Sequence, residues 1–269
     1  MTSNERTQEG VKKAQPPSAR EVFEGGSLYP AEIVCRIENR ESSEYVDRLL
    51  IDKFETIRRH LQPGLLVDLC CATGEHLAAL KPSNGVAIGI DFSVPYLIEA
   101  EFRRKSMGDE SIHYFAGDAR ALPLATGSVD TLYSLSALYV VPELDRVLGE
   151  IVRVLRIGGR CILDLGNRQS INSFCIRNYY TELPPSYHLS VPEMLELCRY
   201  NSLQLVEHRA FQILPLWAGR PRWLWPLLHP VWKRILGTRV AGRMVDEWLC
   251  CMPIFRRLAF RHLLVCEKC

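Results

Sequence analysis

Three carboxylates, a histidine and a tyrosine are the side chains of this chain best placed to do chemistry. Asp68 lies near the end of an apolar run, LLVDL (65–69), ahead of CCATG, where Gly74 is the single glycine and Cys70 and Ala72 hold the alternate positions. Small residues between a buried strand and a helix make a ligand loop, because backbone N–H groups converge at the helix start. Asp91 ends a second apolar run, GVAIGID (85–91), 17 residues after Gly74. A carboxylate at that place can accept hydrogen bonds from both hydroxyls of a ribose. These two features fit a dinucleotide equally well, and charge separates the candidates. A pyrophosphate needs naked N–H groups and a positive helix end, whereas Asp68 and Glu75 flank this loop and no Lys or Arg lies between residues 65 and 80. The loop suits a ligand that carries positive charge and no phosphate.

Such residues need a rigid frame. EYVDRLLIDKFETIRRHL (44–61) spaces Val46, Leu49, Leu50, Phe54, Ile57 and Leu61 at helical intervals, and QPG stops that helix. Strands are expected at 65–69, 85–91, 112–118, 129–137 and 159–166, with helices at 94–106 and 142–155 between them. Apolar strands alternating with helices imply a parallel sheet covered on both faces. Two late strands, 203–213 and 261–268, follow, and the roughly 45 residues between them exceed the ~2–6 residues of an ordinary connection. Residues 1–26, with AQPPSAR and EGGS, read as a disordered polar tail, and 27–269 as a single domain.

Four motifs in order resemble the class I S-adenosylmethionine-dependent methyltransferases, with a methyltransferase type 11-like domain, over roughly residues 44–166. VDLCCATG is similar to the family's first motif, in which glycines usually stand where Cys70 and Ala72 are found. IGIDFS resembles its ribose-binding strand end, FAGDARALPLATGSVDTLYS its adenine-binding turn and fourth strand, and EIVRVLRIGGRCILDL its helix, turn and fifth strand. The resemblance implies an α/β fold with a Rossmann-like, doubly wound, seven-stranded sheet, mostly parallel with the last strand antiparallel, and helices on both faces. It implies S-adenosyl-L-methionine as cofactor, an adenosine with a cationic amino-acid arm. Asp68 would then face the methionine amino group, and Cys70, Ala72 and Gly74 would bring backbone to the cofactor. Asp91 would hold the ribose, Phe92 would pack on adenine, Asp118 and the Ala119 N–H would read the adenine edge, and Ser134 would lie at the methionine end. If Cys70 or Ala72 needs a positive φ, its β-carbon costs ~1–2 kcal/mol.

Methyl transfer to a hydroxyl profits from a general base, usually histidine. His60, His113, His208 and His262 read as packing or surface residues, and His76 sits beside the loop with its side chain expected to point away. His188, in LPPSYHLS (183–190), follows the fifth strand at the edge where acceptors bind in the resembled family, and is the candidate catalytic base. Tyr139 faces the same edge and is the second catalytic candidate. The Asn/Asp-Pro-Pro-aromatic tetrad of amino-methylating enzymes is missing, since the chain reads SLSALYVV there, and there is no Pro-Cys pair for base methylation. DNA is therefore excluded as a partner, RNA is disfavoured, and O-methylation of a small-molecule, glycan or lipid-linked acceptor is expected. A non-catalytic member of the fold, acting as a cofactor-binding, membrane or protein adaptor, is the alternative.

The segment 214–245 contains Trp217, Trp223, Trp225 and Trp232, six basic residues and no acidic one. Tryptophan beside Lys and Arg marks a segment lying at a membrane interface. A helical lid over the acceptor site, spanning 214–258, is the other reading. A formal net charge of +2 gives no global attraction to nucleic acid. The ten cysteines are scattered, which suggests reduced thiols. CEKC (266–269) has no second pair, so no metal site is expected. With no apolar signal at the N-terminus and no run of the ~18 residues a span requires, a cytoplasmic protein, peripheral to a membrane if the insertion docks, is expected.

Overall fold

The computed structural model describes residues 44–82, 85–180 and 183–269. The expected polar tail, 1–26, lies outside the described residues. The chain opens with α1 (Glu44–His60) and β1 (Leu66–Leu69), followed by α2 (Glu75–Leu80), β2 (Ala87–Asp91), α3 (Val94–Met107) and β3 (Ile112–Ala116). Then come β4 (Val129–Ser134), α4 (Leu144–Val154), β5 (Leu155–Gly166), α5 (Ile171–Tyr179), α6 (Val191–Tyr200) and β6 (Leu203–Phe211). The insertion holds a 3-10 segment (Arg222–Leu228), α7 (Pro230–Gly237), a ribbon of two short strands (Arg239–Val240 and Arg243–Met244), α8 (Val245–Cys250) and α9 (Pro253–Leu258). The last strand, β7 (Arg261–Lys268), closes the chain.

The seven strands form one sheet in the order β3-β2-β1-β4-β5-β7-β6. β1 pairs in parallel with β2 and β4, and β7 runs antiparallel to both β5 and β6. This is the expected Rossmann-like architecture. The strand order reverses beside β1, and ligands of open α/β sheets bind at such a switch point, outside the C-terminal strand ends. All four residues of β1 are buried because both faces are covered. Val67 and Leu69 enter one core with the Val147–Ile151 face of α4, while Leu66 enters the other with Ile57 of α1 and Leu77 of α2.

Several ends differ from the sequence reading, each for a local reason. β4 stops at Ser134 rather than at 137 because Ser136 takes a left-handed φ of 53° and turns its N–H and hydroxyl to Asp164, at 3.1 and 2.7 Å. β6 stops at Phe211, since Gln212 is left-handed (φ 66°) and donates its N–H to Asp246 at 2.7 Å. α1 buries Leu49 and Ile57 as its periodicity requires, yet Tyr45, Asp52, Lys53 and Thr56 are buried as well, and Val46 is exposed. Those polar groups meet partners far along the chain. Asp52 and Glu55 pair with Arg239 of the insertion, and Lys53 reaches Asp164 of β5. Asp246 completes the attachment: its buried carboxylate accepts from Tyr45 Oη (2.8 Å), Gln212 N (2.7 Å) and Ile213 N (3.0 Å). The insertion is thereby fastened to α1 and to the exit of β6.

Candidate functional site

The loop after β1 is left-handed at alternate residues. Cys70, Ala72 and Gly74 have φ of 62°, 45° and 75°. Two of the three carry a β-carbon in a region where it costs ~1–2 kcal/mol. Backbone bonds hold the shape: Cys70 N and Cys71 N both donate to Ile90 O, at 2.7 and 3.1 Å. Asp91 completes it, its Oδ2 accepting from Ala72 N and its Oδ1 from Ser93 N, each at 2.9 Å. Gly74 is required by packing too, because a β-carbon there would lie 2.1 Å from the Tyr114 hydroxyl.

The charges around the loop differ in one respect from the sequence reading. Glu75 is paired with Arg103 of α3, so its charge is spent on the fold. The two carboxylates facing the loop are Asp68 and Asp91. Asp68 is buried, accepts from Tyr133 Oη at 2.9 Å, and has no cation partner among the described residues. Burial, reinforced by the charge of Asp91, raises its pKa well above the usual carboxylate range. Burial raises Asp91 as well. The Ser134 hydroxyl, buried at the end of β4, has no hydrogen-bond partner. Two crowded carboxylates and a free hydroxyl suit a cationic ligand, and the donor set fits S-adenosylmethionine.

The remaining expected cofactor residues lie along the same edge. Phe92 follows β2, half-buried. Asp118 is exposed beyond β3 and held by Arg120, whose hydrogen bonds keep its carboxyl below the ordinary range. Ala119 beside it is buried. The ends of β1, β2, β3 and β4 thus gather Asp68, Cys70, Ala72, Gly74, Asp91, Phe92, Asp118, Ala119 and Ser134 along one strip.

A second cluster caps β4 and β5. His188 is buried, with its ring 5.4 Å from those of Tyr139 and Phe260. Gly166 at the end of β5 makes room for it, since a β-carbon there would lie 2.4 Å from the imidazole. Its tautomer follows from the hydrogen-bond network. The Ser173 hydroxyl donates to Asn167 O at 2.6 Å, so its single proton is used, and its contact with His188 Nδ1 at 2.8 Å requires the ring to donate. Nδ1 carries the proton, and Nε2 presents a lone pair that no protein group satisfies. Burial, with Arg261 and Arg177 nearby, pushes the His188 pKa down to about 3, so the ring is neutral at physiological pH.

Sequence reasoning missed the groups around this histidine. Lys53 Nζ and Ser136 both bind Asp164 Oδ2, at 2.8 and 2.7 Å for the ammonium and hydroxyl, while Asp164 Oδ1 is unpartnered. A lysine on the buried side of α1 and an aspartate inside the apolar run ILDLG were the available signals. His76 packs edge-on against Phe54 of α1, with centroids 5.2 Å apart. Burial and the Lys53 charge lower its pKa to about 4. His60 with Glu207, and His208 with His262, serve packing as expected.

Comparison with known proteins agrees with this geometry. Residues 67–163 match the family model described as a methyltransferase domain. A demethylmenaquinone methyltransferase of Lactococcus lactis is 38% identical over 100 residues, 36% of this chain and 40% of that protein. A malonyl-[acyl-carrier protein] O-methyltransferase of Methylococcus capsulatus is 35% identical over 104 residues, 38% of each chain. The chain thus spans about two fifths of the length of these curated relatives. Geranyl diphosphate C-methyltransferase from Streptomyces coelicolor A3(2), solved with Mg2+, geranyl diphosphate and S-adenosyl-L-homocysteine, superposes with a TM-score of 0.58 at 20% identity, covering 83% of this chain and 80% of that one. Residues 67–163 are accordingly a methyltransferase domain.

The left-handed loop makes a stability prediction. Ala72→Gly removes the β-carbon penalty of ~1–2 kcal/mol and adds unfolded-chain entropy of about 0.5–1 kcal/mol. Urea unfolding should show a stability equal to or up to about 1.5 kcal/mol above that of the unchanged protein. A clear loss would mean that the β-carbon makes a contact worth more than its strain.

Proposed function

We propose that this protein is an S-adenosylmethionine-dependent methyltransferase acting on a small-molecule, glycan or lipid-linked acceptor, and that it methylates oxygen. The observation that carries the reading is the pair Asp68 and Asp91 around a left-handed loop with no cation between them. When bound, S-adenosylmethionine supplies a methyl group already activated by its sulfonium, which leaves the chain to align the reactants and exclude water. Asp68 would meet the methionine ammonium, and Ser134 the same end of the cofactor. Asp91 would accept from the ribose hydroxyls on lone pairs left open by its two backbone donors. Phe92, Asp118 and the Ala119 N–H would hold the adenine.

On the acceptor side, His188 Nε2 would take the proton of the acceptor hydroxyl, and Tyr139 would shape the wall beside it. Its neutral Nδ1–H tautomer supports that role, because the proton on Nδ1 leaves the lone pair on Nε2. A positioned general base contributes roughly 10²–10⁴-fold.

Contact with an anionic lipid surface is a second part of the proposal. Trp223, Trp225 and Trp232 are 65%, 52% and 45% exposed, which supports a surface role, and Trp225 and Trp232 also line a cavity of about 570 Å³ with Gly219, Pro226, Leu228 and His229. Trp217 alone of the four turns inward, against Tyr180. Val231 and Ile235 share the exposed surface, and Arg222, Lys233 and Arg234 lie among them in the chain. Apolar rings beside cations suit the boundary of headgroup and acyl chain. Among the described residues no helix is long and apolar enough to cross a membrane.

Isothermal titration and turnover test the catalytic reading together. The unchanged protein should bind S-adenosylmethionine, and Asp91→Ala should weaken binding at least tenfold by removing charge-assisted bonds of ~1.5–3 kcal/mol each. His188→Gln should keep the affinity yet lose at least about a hundredfold in release of S-adenosylhomocysteine with a cell extract. No binding at millimolar cofactor would overturn the enzyme reading, and full turnover by His188→Gln would remove the histidine base.

Flotation with vesicles tests the surface reading. Binding to anionic vesicles should weaken with added salt and be lost when Arg222, Lys233 and Arg234 are replaced by Gln. Absence of binding at low salt would contradict it.

A further inference from the structure

The cluster above β5 holds one cation too many. Arg261 is the first residue of β7, paired with Gly166 at the end of β5 and Phe211 at the end of β6. It is 9% exposed. Its guanidinium carbon lies 5.0 Å from the ring centre of Tyr139 and 4.5 Å from that of Phe260. Those rings attract the cation without neutralising it. Its Nη1 is buried with no hydrogen-bond partner, and among the described residues the guanidinium forms no ion pair. The carboxylate whose charge it feels is Asp164, whose Oδ2 is committed to Lys53 and Ser136 and whose Oδ1 makes no hydrogen bond to Arg261 or any other group.

The charge count around the strand ends is therefore simple. Lys53 is paired with Asp164, His76 and His188 are neutral, Arg177 is exposed to solvent, and Arg261 remains as the enclosed positive charge. Leaving a buried guanidinium unpaired is costly. Nothing in the packing of the strands requires an arginine at this register, because the backbone of β7 makes the sheet bonds. Uncompensated groups of this kind persist where a ligand supplies the missing partner.

We infer that Arg261 is the binding group for a carboxylate on the acceptor. A single excess charge matches a monoanion. The planar fork of guanidinium donors matches a carboxylate's two oxygens, and the aromatic rings of Tyr139 and Phe260 suit a flat, apolar body next to that carboxylate. His188 lies against the same two rings, so the anion clamp and the lone pair of Nε2 belong to one site. A bound carboxylate would have a further consequence. Arg261 is one of the charges that depress the basicity of His188, and neutralising it would make Nε2 a stronger base when the acceptor is in place. This inference rests on the reading of the β4–β5 edge as the acceptor side.

Benzoate and its uncharged isostere benzamide are the probes, titrated into the protein by ligand-observed NMR without cofactor. Benzoate should bind at least tenfold more tightly than benzamide. Arg261→Met should erase that preference, and its melting temperature should be no lower than that of the unchanged protein, because an unpaired buried charge has been removed. Equal binding of the two probes, a preference that survives in Arg261→Met, or a variant that melts lower or does not fold would each overturn the proposal, the last by giving Arg261 a structural role. The cofactor titration is made separately on the unchanged protein. If benzoate is preferred but S-adenosylmethionine does not bind, the anion site stands and the methyltransferase reading falls.

Discussion

The carboxylate of Asp91 is the constraint on which the site depends. The loop after β1 folds back on itself through three left-handed residues, of which only Gly74 is free of a β-carbon. The strain at Cys70 and Ala72, ~1–2 kcal/mol each, must be offset locally, or the loop would open. Asp91 does so by accepting the N–H groups of Ala72 and Ser93, hydrogen bonds of the charge-assisted kind. Because β2 is locked to β1 in parallel register, the carboxylate arrives at a fixed height above the loop. The same oxygens keep lone pairs available, so one side chain can shape the loop and still address a ligand. The arrangement also places Asp91 close enough to Asp68 to raise its pKa further, which leaves the donor side of the site short of positive charge.

The edge proposed as the acceptor side has the opposite character. Lys53 from α1, Arg261 from β7 and the neutral imidazoles of His76 and His188 meet at the ends of β4 and β5, with Asp164 as the one carboxylate among them. On the proposed reading, a cationic ligand and an anionic one would be sorted to neighbouring places by field. α1 is central to this division: its inner face carries Lys53 to the cluster, and its outer end is tied to the insertion by Asp52, Glu55 and Tyr45. The insertion therefore stands on the same helix that supplies the acceptor side with a cation, while its tryptophans face outward.

The alternation of apolar strands and amphipathic helices made the sheet legible, because burial on both faces leaves a strong local pattern in the chain. The place of the candidate strip was legible for the same reason: Asp68, Asp91, Asp118 and Ser134 each sit just where an apolar run ends. What the sequence concealed was non-local or conformational. Nothing in CCATG announces that Cys70 and Ala72 adopt positive φ, since neither residue type favours it. Glu75 looked like a ligand-facing charge until α3 brought Arg103 beside it. Lys53 and Asp164 are 111 residues apart, and Arg261 lies in the last strand, so their meeting is a product of topology alone. His188 was legible as a residue after β5, but its tautomer depended on Ser173 and Asn167, which no spacing rule connects to it.

The pairing of buried carboxylates with a cationic ligand is tested most directly by the pH dependence of S-adenosylmethionine affinity. Both Asp68 and Asp91 have pKa values raised by burial in the free protein, so a cation that needs them ionised binds with loss of protons. Affinity should then rise as pH climbs above the ordinary carboxylate range, and Asp68→Asn should bind more weakly with a flatter profile. An affinity independent of pH, or an Asp68→Asn variant that binds as tightly as the unchanged protein, would contradict it.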